Sequence, residues 1–214
     1  MLIIGHRGAP SIKHENTLPS FKAALAAKVD GLEFDVQYTK DNTLIIYHDL
    51  HSFKLNNQHT PIAHFSFNEL NKMNTKIIIP TLDNVLKHCP PNISIHIDIK
   101  SEDLNNYFIV EEIIQTLQKY KLEQNTIISS FNPFVLLALK QQAPTLKIGL
   151  LWTQSIGTPW FVTHYSYYQL RPYSFHASIK YINAKKAQWV RNHKMKLFLY
   201  TINNRAELTK AKEL

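Results

Sequence analysis

Short apolar runs alternate with stretches of helical spacing along this chain, and they predict strands followed by helices. Leu18, Phe21 and Leu25 recur at the spacing of one helix face, behind Asn16 and Thr17, either of which can cap the helix. The same kind of periodicity predicts further helices near residues 81–86, 106–121, 134–142, 184–193 and 206–214.

Two segments alternate strictly between apolar and polar residues, as half-buried strands do. Residues 31–37 place Leu32, Phe34 and Val36 on one face and Glu33 and Asp35 on the other. Residues 92–100 place isoleucines on one face and polar side chains on the other, namely Ser94, His96, Asp98 and Lys100. Apolar runs predict four later strands, near residues 126–131, 147–152, 177–181 and 196–201.

The segment after Val36 predicts an antiparallel return. Residues 40–42 form a link too short for a parallel crossover, so residues 44–49 run back along the preceding strand and bring His48 toward Glu33 and Asp35. Residues 50–80 are predicted to form a long loop, with a weak helical pattern at 68–73. Residues 153–173 match neither the spacing of a helix nor the alternation of a strand well.

Strands alternating with helices predict parallel β/α units. Seven core strands are counted, whereas a closed (β/α)8 barrel needs eight and typically about 250 residues. We therefore predict an α/β fold of the TIM (β/α)8-barrel type, with the eighth strand missing from the C-terminus, as a single domain over residues 1–214.

The composition fits an ordinary globular chain of 214 residues, of which 44% are hydrophobic and 19% charged. No apolar run approaches the roughly 18 residues that cross a membrane, and no secretion signal is visible at residues 1–4. The single Cys89 excludes an internal disulfide and fits a reducing compartment, so we expect a cytoplasmic protein.

The net charge of +8 is compatible with a nucleic-acid or membrane-surface binder, or with an enzyme that attracts anionic substrates. The basic residues are dispersed along the chain, with no run of five and no nucleic-acid-binding module. The second reading is therefore favoured, and no nucleic-acid partner is expected.

Three of the predicted strands end in charged residues. In a parallel barrel the C-terminal ends of the strands meet at the mouth that holds the active site. Either carboxylate of residues 33 and 35 alone is more often a solvated residue, but the coincidence of Glu33, Asp35 and Asp98 at one mouth indicates a cation between them. Hard oxygen ligands suit Mg²⁺ or Ca²⁺. Arg7 and Lys100 then fit a phosphoryl group, and His6 and His48 fit proton transfer, which together indicate phosphodiester cleavage.

These residues make the chain resemble the glycerophosphodiester phosphodiesterase family. The resemblance spans nearly the whole chain and is carried by His6-Arg7-Gly8, Glu15-Asn16-Thr17, Glu33-Phe34-Asp35-Val36, Thr39-Lys40-Asp41, His48-Asp49, Pro80-Thr81-Leu82, Asp98-Ile99-Lys100, Ser129-Ser130-Phe131 and Tyr200-Thr201-Ile202-Asn203. It implies a TIM barrel that hydrolyses a small-molecule glycerophosphodiester to sn-glycerol 3-phosphate and an alcohol.

The resemblance also implies roles for individual residues. His6 and His48 would be the acid/base pair, and one divalent metal ion would be held by Glu33, Asp35 and Asp98. Arg7 and Lys100 would bind the phosphate, with Glu15 as a supporting residue. The sequence departs from the family at Asp98, where the family has Glu, at Tyr200, where it has Trp, and in lacking the segment that closes the barrel.

Two alternatives remain open from the sequence. The first is a phospholipase D-like enzyme acting on lysophospholipids, which needs an apolar groove such as the aromatic stretch 160–173 could line. The second is a catalytically dead barrel that binds phosphate esters, which Asp98 and the short C-terminus suggest.

Overall fold

The computed structural model describes residues 1–73, 77–101, 107–154 and 160–214. Contacts between residues divide the chain into two compact units, Met1–Ile127 and Ile128–Leu214. The single domain expected over residues 1–214 stays a prediction. No helix within the described ranges combines the length and the apolar composition needed to cross a bilayer.

The first unit is built on parallel strands whose register brings the predicted site residues side by side. Its strands are β1 (Ile4–His6), β2 (Gly31–Tyr38), β3 (Leu44–Ile46) and β4 (Ser94–Ile99). β2 pairs in parallel with both β1 and β4, and in register His6 lies opposite Glu33 and Asp35 opposite Asp98. The predicted antiparallel return is confirmed, because β3 pairs antiparallel with β2.

The predicted alternation in β2 is also confirmed. Leu32, Phe34 and Val36 are almost fully buried on the apolar face, while Glu33 and Asp35 project from the other face. Because the side-chain period of a strand is two, this register fixes both carboxylates on the same side as Asp98 of β4.

The helices of this unit are α1 (Leu18–Ala26), α2 (Phe53–Asn56), α3 (Phe67–Met73), α4 (Leu82–Lys87) and α5 (Tyr107–Tyr120). The two predicted caps at Thr17 and Thr81 are present, with each hydroxyl accepting a bond from the backbone N–H three residues on. Thr17, and not Asn16, caps α1, because the Asn16 side chain is directed to Asp35 instead.

The prediction of a long loop over residues 50–80 was wrong in part. The described portion holds α2, a short 3-10 turn at Ile62–His64 and α3, which confirms the helical pattern noted at 68–73. A small apolar core explains the order, and its buried members are Ile45, Tyr47, Leu55, Ile62, Leu70 and Ile79. Its apolar residues are too widely spaced in sequence to show one continuous helical face.

The second unit repeats the β/α order. Strand β5 (Thr126–Ser130) crosses the boundary between the units and is followed by β6 (Lys147–Trp152), β7 (Ser174–Ser178) and β8 (Lys196–Tyr200), of which the last three pair in parallel. The helices are α6 (Pro133–Gln142), α7 (Trp160–Leu170), α8 (Ala184–Asn192) and α9 (Arg205–Glu213). Apart from the antiparallel β3, the described ranges hold seven strands, the predicted number.

The predicted position of the sixth core strand was wrong by three residues. The sequence indicated residues 177–181, but β7 begins at Ser174 and pairs with Gly149 of β6. Ser174 and His176 are buried polar residues, and their hydroxyl and imidazole groups lie 2.9 Å apart in a mutual hydrogen bond. This pairing lets two polar side chains occupy core positions that the hydrophobic pattern could not reveal.

Candidate active site

A tight turn after β1 directs His6 and Arg7 toward the polar side chains of β2. Arg7 has φ 56 and Gly8 has φ 87. At a non-glycine residue such as Arg7 this left-handed conformation costs about 1–3 kcal/mol and persists only where the surrounding structure holds it. A Cβ at Gly8 would overlap with Ser20. The Ser20 hydroxyl bridges the turn, donating to the Arg7 carbonyl at 3.0 Å and accepting from the Ala9 N–H at 2.8 Å.

Arg7 contacts three carboxylates through three different nitrogens. Its backbone N–H donates to Oε2 of Glu33 at 2.9 Å, and its Nη1 donates to Oε2 of Glu15 at 3.1 Å. Its Nε lies 3.2 Å from Oδ2 of Asp35, an ion pair outside hydrogen-bond geometry. The predicted supporting residue Glu15 therefore holds the guanidinium in place.

Glu33, Asp35 and Asp98 form a compact acidic cluster. Each offers one carboxylate oxygen, and these oxygens all lie within 4.8 Å of one another. Lys100 contacts two members of the cluster, with its Nζ 3.1 Å from Oδ1 of Asp35 and in direct contact with Oδ2 of Asp98. The buried cluster thus contains three carboxylates and, with Arg7, two permanent cations.

Asn16 adds a neutral donor to this cluster. Its Nδ2 donates to Oδ2 of Asp35 at 2.7 Å, and its own backbone N–H donates to the Arg7 carbonyl at 3.0 Å. Asn16 has φ 56, a conformation that Asn tolerates better than most residues. The residue before the helix cap is therefore part of the site.

Burial and mutual repulsion separate the three carboxyl groups in acidity. Burial raises the pKa of Glu33, and the charges of Asp35 and Asp98 raise it further. Burial also raises the pKa of Asp98, although Lys100 opposes it. Burial alone would raise the pKa of Asp35, but the positive charges of Lys100 and Arg7 outweigh this effect. The pKa of Asp35 is therefore lowered.

The acidic cluster fits a hard divalent cation. Oδ1 of Asp98 is buried and has no hydrogen-bond partner within the described ranges, and such an acceptor is costly in a protein interior. All three donors are carboxylate oxygens, which Mg²⁺ and Ca²⁺ prefer. Three ionised carboxylates against two cations leave a net charge of −1, which a divalent cation would turn into +1, opposite in sign to a phosphodiester.

His6 lies beside this cluster, with its Nε2 3.9 Å from Oε2 of Glu33. Burial lowers the pKa of His6 to about 4, and the positive charge of Arg7 acts in the same direction. In this arrangement the imidazole is therefore neutral at pH 7.

His48 approaches from the antiparallel return. The Tyr47 N–H donates to the Asp35 carbonyl at 3.1 Å, which ties this leg to β2, and His48 is close enough to interact electrostatically with both Asp35 and Asp98. Nδ1 of His48 lies 2.7 Å from Oδ1 of Asp49. Because an ionised carboxylate only accepts hydrogen bonds, Nδ1 carries the proton and Nε2 is left for other partners.

Lys54 of α2 completes this second group. Its Nζ lies 2.9 Å from Oδ2 of Asp49 and 3.9 Å from Oε1 of Glu15. Burial alone would raise the pKa of Asp49, but its hydrogen bonds with His48 and Lys54 lower this pKa overall. A continuous set of ion pairs therefore joins the His48 side of the site to the Arg7 side.

A cavity of about 270 Å³ opens beside His48. It is lined by six polar residues and by Ile46, Tyr47, Ile77 and Ile79, which we call its apolar wall. The Tyr47 hydroxyl is buried without a hydrogen-bond partner among the described residues, and burial, with the charges of Asp49 and Glu15, raises the pKa of Tyr47 to about 12.

All eight residues predicted for the site lie in the Met1–Ile127 unit, and the cluster brings them close together. The residues that sequence reasoning did not assign to it are Asn16, Asp49, Lys54 and Tyr47. Asn16 and Asp49 were visible in the motifs Glu15-Asn16-Thr17 and His48-Asp49. No signal in the sequence marks Lys54 or Tyr47, because their contacts depend on how residues 50–80 fold.

The chain is similar to known proteins over nearly its whole length. The model of the glycerophosphoryl diester phosphodiesterase family matches residues 6–214. A glycerophosphodiester phosphodiesterase of Caldanaerobacter subterraneus subsp. tengcongensis is 31% identical, over 97% of this chain and 88% of that protein.

Solved structures extend the likeness to the fold. A glycerophosphodiester phosphodiesterase from Thermotoga maritima has a TM-score of 0.80 and 26% identity, with 99% of this chain and 91% of that one covered. A phosphodiesterase from Oleispira antarctica, solved with the product sn-glycerol-3-phosphate, has a TM-score of 0.85 and 20% identity, with 100% and 89% covered. The predicted fold class, an α/β barrel of the TIM type, is thereby confirmed.

Proposed function

The chain belongs to the glycerophosphoryl diester phosphodiesterase family, and we propose that it is a metal-dependent enzyme that hydrolyses glycerophosphodiesters to sn-glycerol 3-phosphate and an alcohol. The observation that carries the proposal is the acidic cluster of Glu33, Asp35 and Asp98, with one oxygen from each within 4.8 Å. The Oleispira antarctica structure with sn-glycerol-3-phosphate supports the choice of product.

In this proposal the three carboxylates hold one Mg²⁺ or Ca²⁺ ion. When bound, such an ion supplies positive charge that polarises phosphoryl oxygens. Arg7 and Lys100 add fixed positive charge beside the same position, where a phosphodiester oxygen can accept hydrogen bonds from them. Glu15 and Asn16 keep this charge oriented through their contacts with Arg7 and Asp35.

His6 and His48 transfer protons in the proposed reaction. One imidazole removes a proton from the attacking water as the P–O bond forms, and the other delivers a proton to the alcohol oxygen as its P–O bond breaks. Asp49 positions His48 by accepting from Nδ1, which leaves Nε2 for the proton transfer.

The cavity beside His48 is the proposed site of the leaving alcohol. Its apolar wall of Ile46, Tyr47, Ile77 and Ile79 gives a specific reason to keep lysophospholipids as a second class of substrate. A rat protein named lysophospholipase D GDPD1 is 27% identical over 58% of this chain and 43% of that protein. Comparing turnover of lysophosphatidylcholine with that of glycerophosphocholine separates the two classes.

The proposal is tested by measuring sn-glycerol 3-phosphate released from glycerophosphocholine, glycerophosphoethanolamine and glycerophosphoglycerol. Activity should disappear with EDTA and return with excess Mg²⁺ or Ca²⁺. His48→Ala should be inactive, while the matched control His88→Ala, an exposed histidine that hydrogen-bonds the Asn84 carbonyl, should retain activity.

Activity that persists in EDTA would refute the metal requirement. Binding of sn-glycerol 3-phosphate in calorimetry, without turnover of any diester, would instead favour the catalytically dead barrel.

A further inference from the structure

The net positive charge of this protein comes from one part of the chain. Residues 124–206 contain ten Lys or Arg and no Asp or Glu. The unit Ile128–Leu214 therefore carries twelve Lys or Arg against two Glu, a net charge of +10, whereas residues 1–127 carry twelve against fourteen acidic residues, a net charge of −2. None of the candidate active-site residues lies in the positively charged unit, so none of the contacts described for the site accounts for this concentration of charge.

Helix α7 in this unit buries Tyr167 and Leu170, as a core-packed helix does, but it also exposes two aromatic rings while it buries two hydroxyl side chains. Thr163 and Ser166 are buried at 3% and 5% exposure, while Tyr165 and Tyr168 are 66% and 59% exposed. A helix that only packed on a core would bury its rings and expose its hydroxyls. The outward tyrosines therefore indicate a face that contacts something other than the core.

Cations accompany the exposed rings. The guanidinium of Arg171 lies 5.8 Å from the ring centre of Tyr168, and Nζ of Lys147 lies 5.6 Å from that of Tyr173. We call Lys147, Tyr165, Tyr168, Arg171 and Tyr173 the tyrosine face.

The neighbouring helix α6 adds exposed apolar side chains. α6 packs against α7, and Nζ of Lys140 donates to the carbonyls of Gln169 and Leu170 at 3.1 and 2.8 Å, which ties the ends of the two helices together. Phe134 and Leu137 of α6 are exposed. The unit therefore presents both exposed apolar side chains and a high positive charge.

We propose that the tyrosine face docks this protein onto the surface of an anionic phospholipid bilayer. Tyrosine rings are amphipathic and favour the headgroup level of a bilayer, and long cationic side chains reach the lipid phosphates. The net charge of +10 on this unit is complementary to such a surface.

Other occupants fit less well. Single-stranded nucleic acid is usually held in a basic groove lined by aromatic rings, whereas the rings here project from the outer side of a helix next to the apolar Phe134 and Leu137. A second copy of the chain would bring two faces of the same positive charge together. The bilayer satisfies both the charge and the apolar side chains.

The full-length protein should be sedimented with vesicles of phosphatidylcholine alone and with vesicles containing about 40% phosphatidylglycerol, since anionic lipid sets the surface potential. We expect binding only to the anionic vesicles, and a large decrease between about 0.05 M and 0.5 M salt. Arg171→Gln should weaken binding about fivefold, the factor corresponding to the ~1 kcal/mol that one basic residue contributes near such a surface.

The double variant Tyr165→Ser/Tyr168→Ser keeps the charge and should weaken binding at least as much as loss of Arg171. The matched controls are Lys22→Gln and Ile12→Ser, exposed residues of the first unit, which should bind like the parent. Because the substituted side chains are exposed, circular dichroism should show the fold unchanged.

Three results would overturn the proposal: equal binding to both vesicle types, unchanged binding of the double tyrosine variant, or binding to polyuridylate without binding to anionic vesicles. Since the readout is binding alone, the result does not depend on whether the proposed hydrolysis is observed.

Discussion

Oδ1 of Asp49 lies 2.7 Å from Nδ1 of His48, so the residue that follows the histidine in sequence also orients its ring. The other oxygen of Asp49 lies 2.9 Å from Nζ of Lys54. This pair makes Asp49 a positioning residue for the proposed proton transfer, with Lys54 holding its carboxylate in turn.

Asp49→Asn should lower kcat by about 10²-fold or more, with little change in KM. An amide can offer its N–H₂ to Nδ1 and so favour the tautomer with the proton on Nε2, and proton transfer by a positioned group contributes about 10²–10⁴-fold. The measurement is steady-state hydrolysis of glycerophosphocholine. Lys54→Ala should have a smaller effect that Lys54→Arg restores, and an unchanged kcat in Asp49→Asn would remove Asp49 from the mechanism.

Asp98 should control metal affinity. Mg²⁺ at about 100 times its Kd should stabilise the parent protein by ~2.7 kcal/mol in thermal unfolding, because a ligand that binds the folded state raises its stability. Asp98→Asn should lose most of this increase, while Asp98→Glu, the residue that the family carries here, should keep it. Asp83→Asn changes an exposed carboxylate paired with Lys119 and serves as the control; a metal response unaffected by Asp98→Asn would contradict the assignment.

The turn at Gly8 should tolerate no side chain. Gly8→Ala places a Cβ at φ 87 against Ser20, and the left-handed strain with the overlap should lower the free energy of unfolding by about 3 kcal/mol. Lys28 gives the opposite case. It has φ 58 just after α1, a left-handed position that glycine adopts without strain, so Lys28→Gly should raise the free energy of unfolding by ~1 kcal/mol. Urea denaturation measures both, and the prediction is wrong if both changes act in the same direction.

Cys89 should react slowly with iodoacetamide in the folded protein. Burial raises the pKa of its thiol from 9.0 to about 11, so at pH 9 the reactive thiolate should be about 50-fold scarcer than in the unfolded chain. Rates measured with and without guanidinium test this, and equal rates would exclude the shift. Because the folded protein holds the thiol proton more tightly than the unfolded chain does, the free energy of unfolding falls as pH rises from about 9 to about 11.

The alternating pattern of β2 and β4 was enough to place three carboxylates together. A strand has a period of two, so the faces of Glu33, Asp35 and Asp98 follow from the sequence alone, and parallel pairing aligns their positions. The antiparallel return was predictable for a similar reason, because five residues between β2 and β3 allow no other connection.

The contacts of Asn16 and Lys54 could not be predicted in this way. Asn16 looks like one of two equivalent caps for α1, and only its left-handed backbone turns the amide toward Asp35. Lys54 depends on helix α2, whose position is set by the small core around Leu55 and Ile62. Long-range packing of this kind leaves no periodic trace in the sequence.

The uneven distribution of charge could not be predicted from short stretches of the sequence either. No run of five basic residues exists, so the charge looks dispersed, yet the absence of acidic residues from 124 to 206 concentrates it in one compact unit. The imbalance lies between the net charges of the two compact units and not within any short stretch of sequence.

The cavity beside His48 has an evolutionary consequence. Its apolar wall comes from residues 46, 47, 77 and 79, whereas the three carboxylates are carried by β2 and β4. With the leaving alcohol placed in this cavity, as proposed, mutations at Ile77 or Ile79 should alter which alcohol fits without displacing the acidic cluster. Under the proposed function, descendants of this sequence could then differ in the diesters they accept while keeping the same acidic cluster.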